Sequence, residues 1–150
     1  MPSPRTIVAL VCLIAAGPGT GAGLSTSGTW SPQITTSTYR AAPIDSAASA
    51  LLINIDVAET EAWTVSVQTQ NANLPEGLTL SIKRITNGTG DGAISGGTDY
   101  ATVGDTAQIM FSGTGNRQGV GVQLRLNGIA GGRPPPGNYG ASILYSLESH

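Results

Sequence analysis

LLINIDVAETEAWTVSVQTQ, residues 51–70, holds two alternating runs back to back. In the first, Leu51, Ile53, Ile55 and Val57 share one parity, and Asn54 and Asp56 fall on the other. In the second, Trp63, Val65, Val67 and Thr69 alternate with Thr64, Ser66, Gln68 and Gln70. A repeat of two is the period of a β-strand, which turns successive side chains to opposite faces. Each run therefore reads as a strand with one buried face, and the polar residues 58–62 between them read as a hairpin connection.

The same period continues toward the end of the chain. Leu78, Leu80 and Ile82 alternate with Thr79, Ser81 and Lys83; Ala107, Ile109 and Phe111 form a fourth run; Val120, Val122, Leu124 and Leu126 form a fifth, with Gln123, Arg125 and Asn127 outside. The closing run sets Tyr139, Ala141, Ile143, Tyr145 and Leu147 against Asn138, Gly140, Ser142, Ser146 and Glu148. Turn-formers fill the gaps at residues 73–77, 87–97, 113–119 and 128–137, and no window carries the 3.6-residue period of an amphipathic helix. Six strands with one apolar face each must bury those faces against one another, and WSPQITTSTYR, residues 30–40, supplies a weaker first strand. The expected fold is all-β: a two-layer antiparallel immunoglobulin-like β-sandwich of about seven strands, with a closed barrel as the alternative.

The start of the chain reads differently. Arg5 is followed by an uncharged apolar run, TIVALVCLIAA at residues 6–16, and then by the small residues 17–23. That is the anatomy of a secretory signal peptide, cleaved after Ala22 or Gly23; the run has about half of the roughly 20 apolar residues needed to cross a bilayer. The expected organisation is a signal peptide over 1–23, an N-terminal extension or first strand over 24–45 and the sandwich over 46–150. The mature chain is then secreted, to the extracellular space, the cell surface or the periplasm, with no membrane span. Cys12, the one cysteine, leaves with the leader, so no disulfide is expected. About 127 residues suffice for a core without one.

Composition and residue inventory exclude several chemistries. Without Arg5 the chain carries six Arg and Lys against nine Asp and Glu, a net charge of −3, with no basic cluster beyond Lys83 and Arg84. Nucleic acid is therefore not an expected partner. The one histidine, His150, is the last residue, where packing does not orient a general base. Glu59 and Glu61 read as turn charges rather than a glycosidase pair. Asp91, Asp99 and Asp105 lie in a glycine-rich tract that suits calcium in ligand type but matches no loop pattern in spacing. Asn87-Gly88-Thr89 fits the glycosylation acceptor pattern, and Arg133-Pro134-Pro135-Pro136-Gly137 reads as a stiff lead-in to the last strand. Trp30, Tyr39 and Tyr100 lie outside the strong strands as exposed rings available to a sugar. No catalytic set, cofactor motif or metal set emerges, so the chain reads as a non-enzymatic structural or adhesive protein; a small carbohydrate- or calcium-binding module is the alternative.

Pro136-Gly137-Asn138-Tyr139 followed by the alternating residues 140–147 resembles the C-terminal strand of pilin-like and spore-coat-U-like secreted bacterial subunits. More loosely, Trp63 and the run from Leu78 to Arg84 are similar to exported bacterial β-sandwich proteins. In chaperone-usher pilins the subunit is an incomplete immunoglobulin-like sandwich, completed by the N-terminal extension of a neighbour. The resemblance thus implies a fimbria-like polymerising subunit whose partners are copies of itself or other surface subunits. It makes residues 24–40, with Trp30, Ile34, Thr36 and Thr38 on one parity, a candidate donor strand, and Tyr139, Ile143, Tyr145 and Leu147 a candidate acceptor edge. The same segment serves equally as the chain's own first strand. Many such pilins carry a disulfide that this chain lacks.

Overall fold

The computed structural model describes residues 6–16, 23–30, 32–34, 43–74, 76–128 and 137–150, with the backbone alone described at 6–16, 33–34 and 137–138. Among these residues there is no helix. Strand segments in chain order are β1 (Thr6–Ala16), β2 (Gly23–Ser27), β3 (Gln33–Ile34), β4 (Ile44–Asp45), β5 (Leu51–Asp56), β6 (Ala62–Asn73), β7 (Thr79–Arg84), β8 (Ile94–Ser95), β9 (Ala101–Thr102), β10 (Gln108–Thr114), β11 (Arg117–Asn127) and β12 (Gly137–Ser149). One sheet runs β3-β1-β12-β6-β10-β8, and the other runs β2-β5-β11-β7-β9 with β4 also paired to β11. Neighbours are antiparallel except β1 and β12, which are parallel. The count exceeds the seven expected because β1 forms where a leader was expected and four two-residue pieces, too short to show a period, add to the sheets.

Packed face to face, the sheets form a β-sandwich in which six strands follow the immunoglobulin order, while β10 pairs with β6 outside it. In that fold strands A-B-E-D oppose C-F-G. Here β2-β5-β11-β7 take the places of A-B-E-D, and β6 and β12 those of C and F. The place of G, beside F, is taken by β1 from the other end of the chain. G follows F in that fold and returns antiparallel; β1 instead runs parallel to β12.

The alternation locates the core. Leu51, Ile53, Ile55, Trp63, Val65, Val67, Leu80, Ile82, Val120, Val122 and Leu124 are at most 2% exposed and belong to one cluster. Trp63 crosses the core edge-on to Phe111, ring centroids 5.8 Å apart, and its indole N–H donates to Gly115 O at 2.8 Å. Gly113 stands opposite Trp63 in the ladder between β10 and β6; a Cβ there would lie 2.6 Å from the indole and 2.4 Å from Ala93 O.

Three expectations are corrected. Residues 58–62 are not a hairpin connection, because β5 and β6 lie in different sheets; the link over 57–61 arches across the sandwich, with Glu61 N donating to Ala58 O at 3.0 Å and Val57 N to Asn116 Oδ1 at 2.7 Å. Inward parity is the same whether the next strand joins its own sheet or the facing one. In the fourth run a β-bulge between Ile109 and Phe111 reverses the parity, leaving Ile109 72% exposed and placing Met110 inside beside Phe111. The first strand of the second sheet is β2 at Gly23–Ser27, with Leu24 buried, whereas the described part of residues 30–40 contributes the two-residue β3 to the other sheet.

A small latch fixes the outer face of β11. Arg125 donates to both carboxylate oxygens of Asp45, at 2.6 and 2.9 Å, tying β4 down, and its guanidinium lies 4.0 Å from the Tyr100 ring centroid, with Lys83 Nζ at 4.5 Å. Tyr100 is therefore a packed ring, not a free one. The hydrogen bond from Arg125 holds the Asp45 carboxyl below its ordinary range.

Trp63→Ala should lower stability by about 3–5 kcal/mol in urea unfolding, and Gly113→Ala should also destabilise by displacing the same ring. For Asp45 the sign follows from a folded pKa below the unfolded one, so its contribution is present above the unfolded value and lost as pH falls through the folded one. Because both side chains are about a third exposed, at 31% and 37%, Asp45→Asn should cost no more than about 1 kcal/mol at neutral pH. That cost should vanish in urea melts in strong acid.

Candidate assembly edge

β12 is central to its sheet only because strands flank it on both sides. On one side β6 pairs antiparallel, from Gly140↔Asn73 to Ser149↔Trp63, with a bulge between Gly140 and Ser142. Asn71, in the bulged stretch of β6, adopts φ 50°, a conformation Asn tolerates better than most residues. On the other side β1 pairs parallel in an unbroken register of eleven residues, Thr6↔Gly137 through Ala16↔Leu147. Among the described residues β1 in turn is backed by β3, over Thr6↔Ile34 and Ile7↔Gln33. Across the sandwich β2 lies against both β1 and β12, so β1 closes the gap between the two sheets at this edge.

The inner face of β12 is the apolar wall of that gap. Ala141, Ile143, Tyr145 and Leu147 are at most 4% exposed, in one cluster with Leu24 of β2 and Leu51, Ile53 and Ile55 of β5. Tyr139 is half-buried in a neighbouring cluster with Leu78, Leu126, Trp30, Ile44 and Leu74. The four acceptor residues named from the sequence therefore share one face of β12, three in the main core and Tyr139 at its margin.

No known family model matches this chain, and a search of curated proteins finds no relative. The reading of the edge thus stands on its own geometry.

The expected donor residues divide. Trp30 is half-buried and packs on its own core, Ile34 belongs to β3, and Thr36 and Thr38 lie outside the described residues, as do Tyr39 and residues 133–136. His150 is exposed but held, its backbone N–H donating to Ala62 O at 2.8 Å and its Nε2 lying 3.3 Å from Thr64 Oγ1. Glu61 accepts from Ala58 N at 3.2 Å across the arch. Asp91, Asp99 and Asp105 do not converge: among the described residues no three His, Cys, Asp or Glu side chains gather as a metal site. A cleft of ≈ 250 Å³ opens at the far side of the sandwich, with Val67, Ile82 and Met110 at its apolar wall and Asp99 and Gln108 among its polar lining.

Two features escaped the sequence reading. Arg84 and Arg117 are both buried, at 7% and 8%, and neither forms an ion pair among the described residues. Arg84 donates to Gly96 O at 2.8 Å and to Asn87 Oδ1, while Arg117 donates to Asn87 O at 3.4 Å and to Gly92 O, so together they pin the glycine-rich tract 87–97. Burial, then repulsion from Arg117, lowers the Arg84 pKa. The second is β1 itself. Its continuous apolar run reads as a leader, yet its backbone pairs with β12 as a parallel strand over eleven residues.

If β12 is core on one face only, Ile143→Ala should cost about 2–5 kcal/mol in urea unfolding. Leu144→Ala, on the half-buried outer face, should cost clearly less.

Proposed function

We propose that this chain is an exported, non-enzymatic structural subunit of a cell-surface or extracellular assembly, and that it polymerises by strand donation at the β12 edge. One observation carries the reading: the strand in the G place has the composition of a secretory leader. Removing it at residue 22 or 23 leaves β2 at the new N-terminus and strips β12 of its neighbour. An open strand edge beside an apolar gap is a template for a further strand, with backbone groups to pair and pockets to fill.

The same removal frees a donor. Among the described residues β3 is held in its sheet through β1, so Gln33 and Ile34 lose that partner when the gap opens. Ile34, Thr36 and Thr38 then form one face of a strand available to the next copy, while Gly23–Ser27 and Trp30 stay with their own core. The cleft near Asp99 and Gln108 is the one feature that favours the alternative of a small-ligand module. A sugar-array screen and melting with and without calcium test that alternative, which predicts a rise of several degrees on binding.

After removal of residues 1–22, the chain should form concentration-dependent oligomers in size-exclusion chromatography. Ile34→Asp should abolish them without lowering subunit stability, because Ile34 then acts outside its own core. A processed chain that stays monomeric at high concentration, or an Ile34→Asp variant that melts lower, overturns strand donation.

A further inference from the structure

Among the described residues β1 is the strand that lies in the gap, and its seating is orderly. Eleven consecutive residues pair with β12 without a bulge, whereas the β6 side of the same strand carries one. The register sets Val8, Leu10, Cys12, Ile14 and Ala16 opposite the inward-facing positions Tyr139, Ala141, Ile143, Tyr145 and Leu147. The run carries no charge. It is joined to β2 through residues 17–22.

We infer that the leader is the first ligand of its own β12 edge: until it is cut, Thr6–Ala16 plugs the gap in cis and holds the unprocessed chain out of assembly. The inference rests on the preceding reading only in treating this gap as the assembly site. The physical basis is effective concentration. A strand on a short tether faces its site at about millimolar effective concentration, so at roughly 10 µM protein a donor of equal intrinsic affinity from another copy is outcompeted about a hundredfold. Cutting the tether abolishes that advantage, and the released peptide then dilutes away. Processing therefore opens the acceptor edge and frees β3 in a single event, and the edge stays covered until then.

The test uses the full-length chain with a specific protease site placed within residues 17–22. Uncut protein should remain monomeric. Cut protein freed of its leader should assemble about a hundredfold faster, and excess synthetic peptide of residues 6–16 should suppress that assembly. The register is checked independently, because Cys12 is the chain's one cysteine. Under mild oxidation Ile143→Cys should form a disulfide with Cys12, retaining the leader after the cut, and Tyr139→Cys, four residues along the strand, should not. Uncut protein that assembles as fast as cut protein overturns the plug, and so does cross-linking that is absent or equal at the two positions. A stripped chain that stays monomeric despite selective cross-linking at position 143 leaves the leader seated in the gap and overturns the assembly reading instead.

Discussion

Pairing on both edges of β12 is the constraint on which the sandwich depends. The strand's inner face carries Ile143, Tyr145 and Leu147, at most 1% exposed, so its backbone runs along the wall of the core rather than at a solvated rim. Buried N–H and C=O groups must be paired, because an unpaired one costs about as much as a lost hydrogen bond. β6 satisfies one edge and β1 the other. The immunoglobulin order explains why a strand is needed there, since its G strand performs this service for F. Here the service comes from the N-terminal end of the chain, and the parallel direction of β1 is the visible result.

The run in β1 is uncharged and apolar without alternation, a composition that suits a leader and a parallel strand alike. The far side of the sandwich is finished differently, by the two-residue strands β8 and β9, the bulge in β10 and the tract pinned by Arg84 and Arg117. Short and bulged edges resist pairing with other chains. The molecule is thus asymmetric, with one blunted edge and one whose cover is a candidate for removal.

Most of the core was legible because period two maps directly onto inside and outside. Leu51 to Val57, Trp63 to Thr69 and Val120 to Leu126 all placed their odd or even members inside as the alternation required. The bulge at Ile109 was not legible, since one inserted residue inverts parity without changing composition. The arch at 57–61 was not legible either, because polar turn residues serve a hairpin and a sheet-to-sheet crossing alike. Arg84 and Arg117 were hidden because their partners are backbone carbonyls, which every residue supplies.

By itself the sequence determined that this protein is built of strands, which side chains form most of its core, and that its first residues have the makeup of a leader. Those properties are local: they follow from alternation and composition within a dozen residues. Only the tertiary structure decided which sheet each strand joins, where β2 begins, and which segment lies beside β12. Those are pairings between residues far apart in the chain, from Gly23 and Asp56 to Cys12 and Ile143, and strand pairing is set by the edges and faces left open once the other strands have packed.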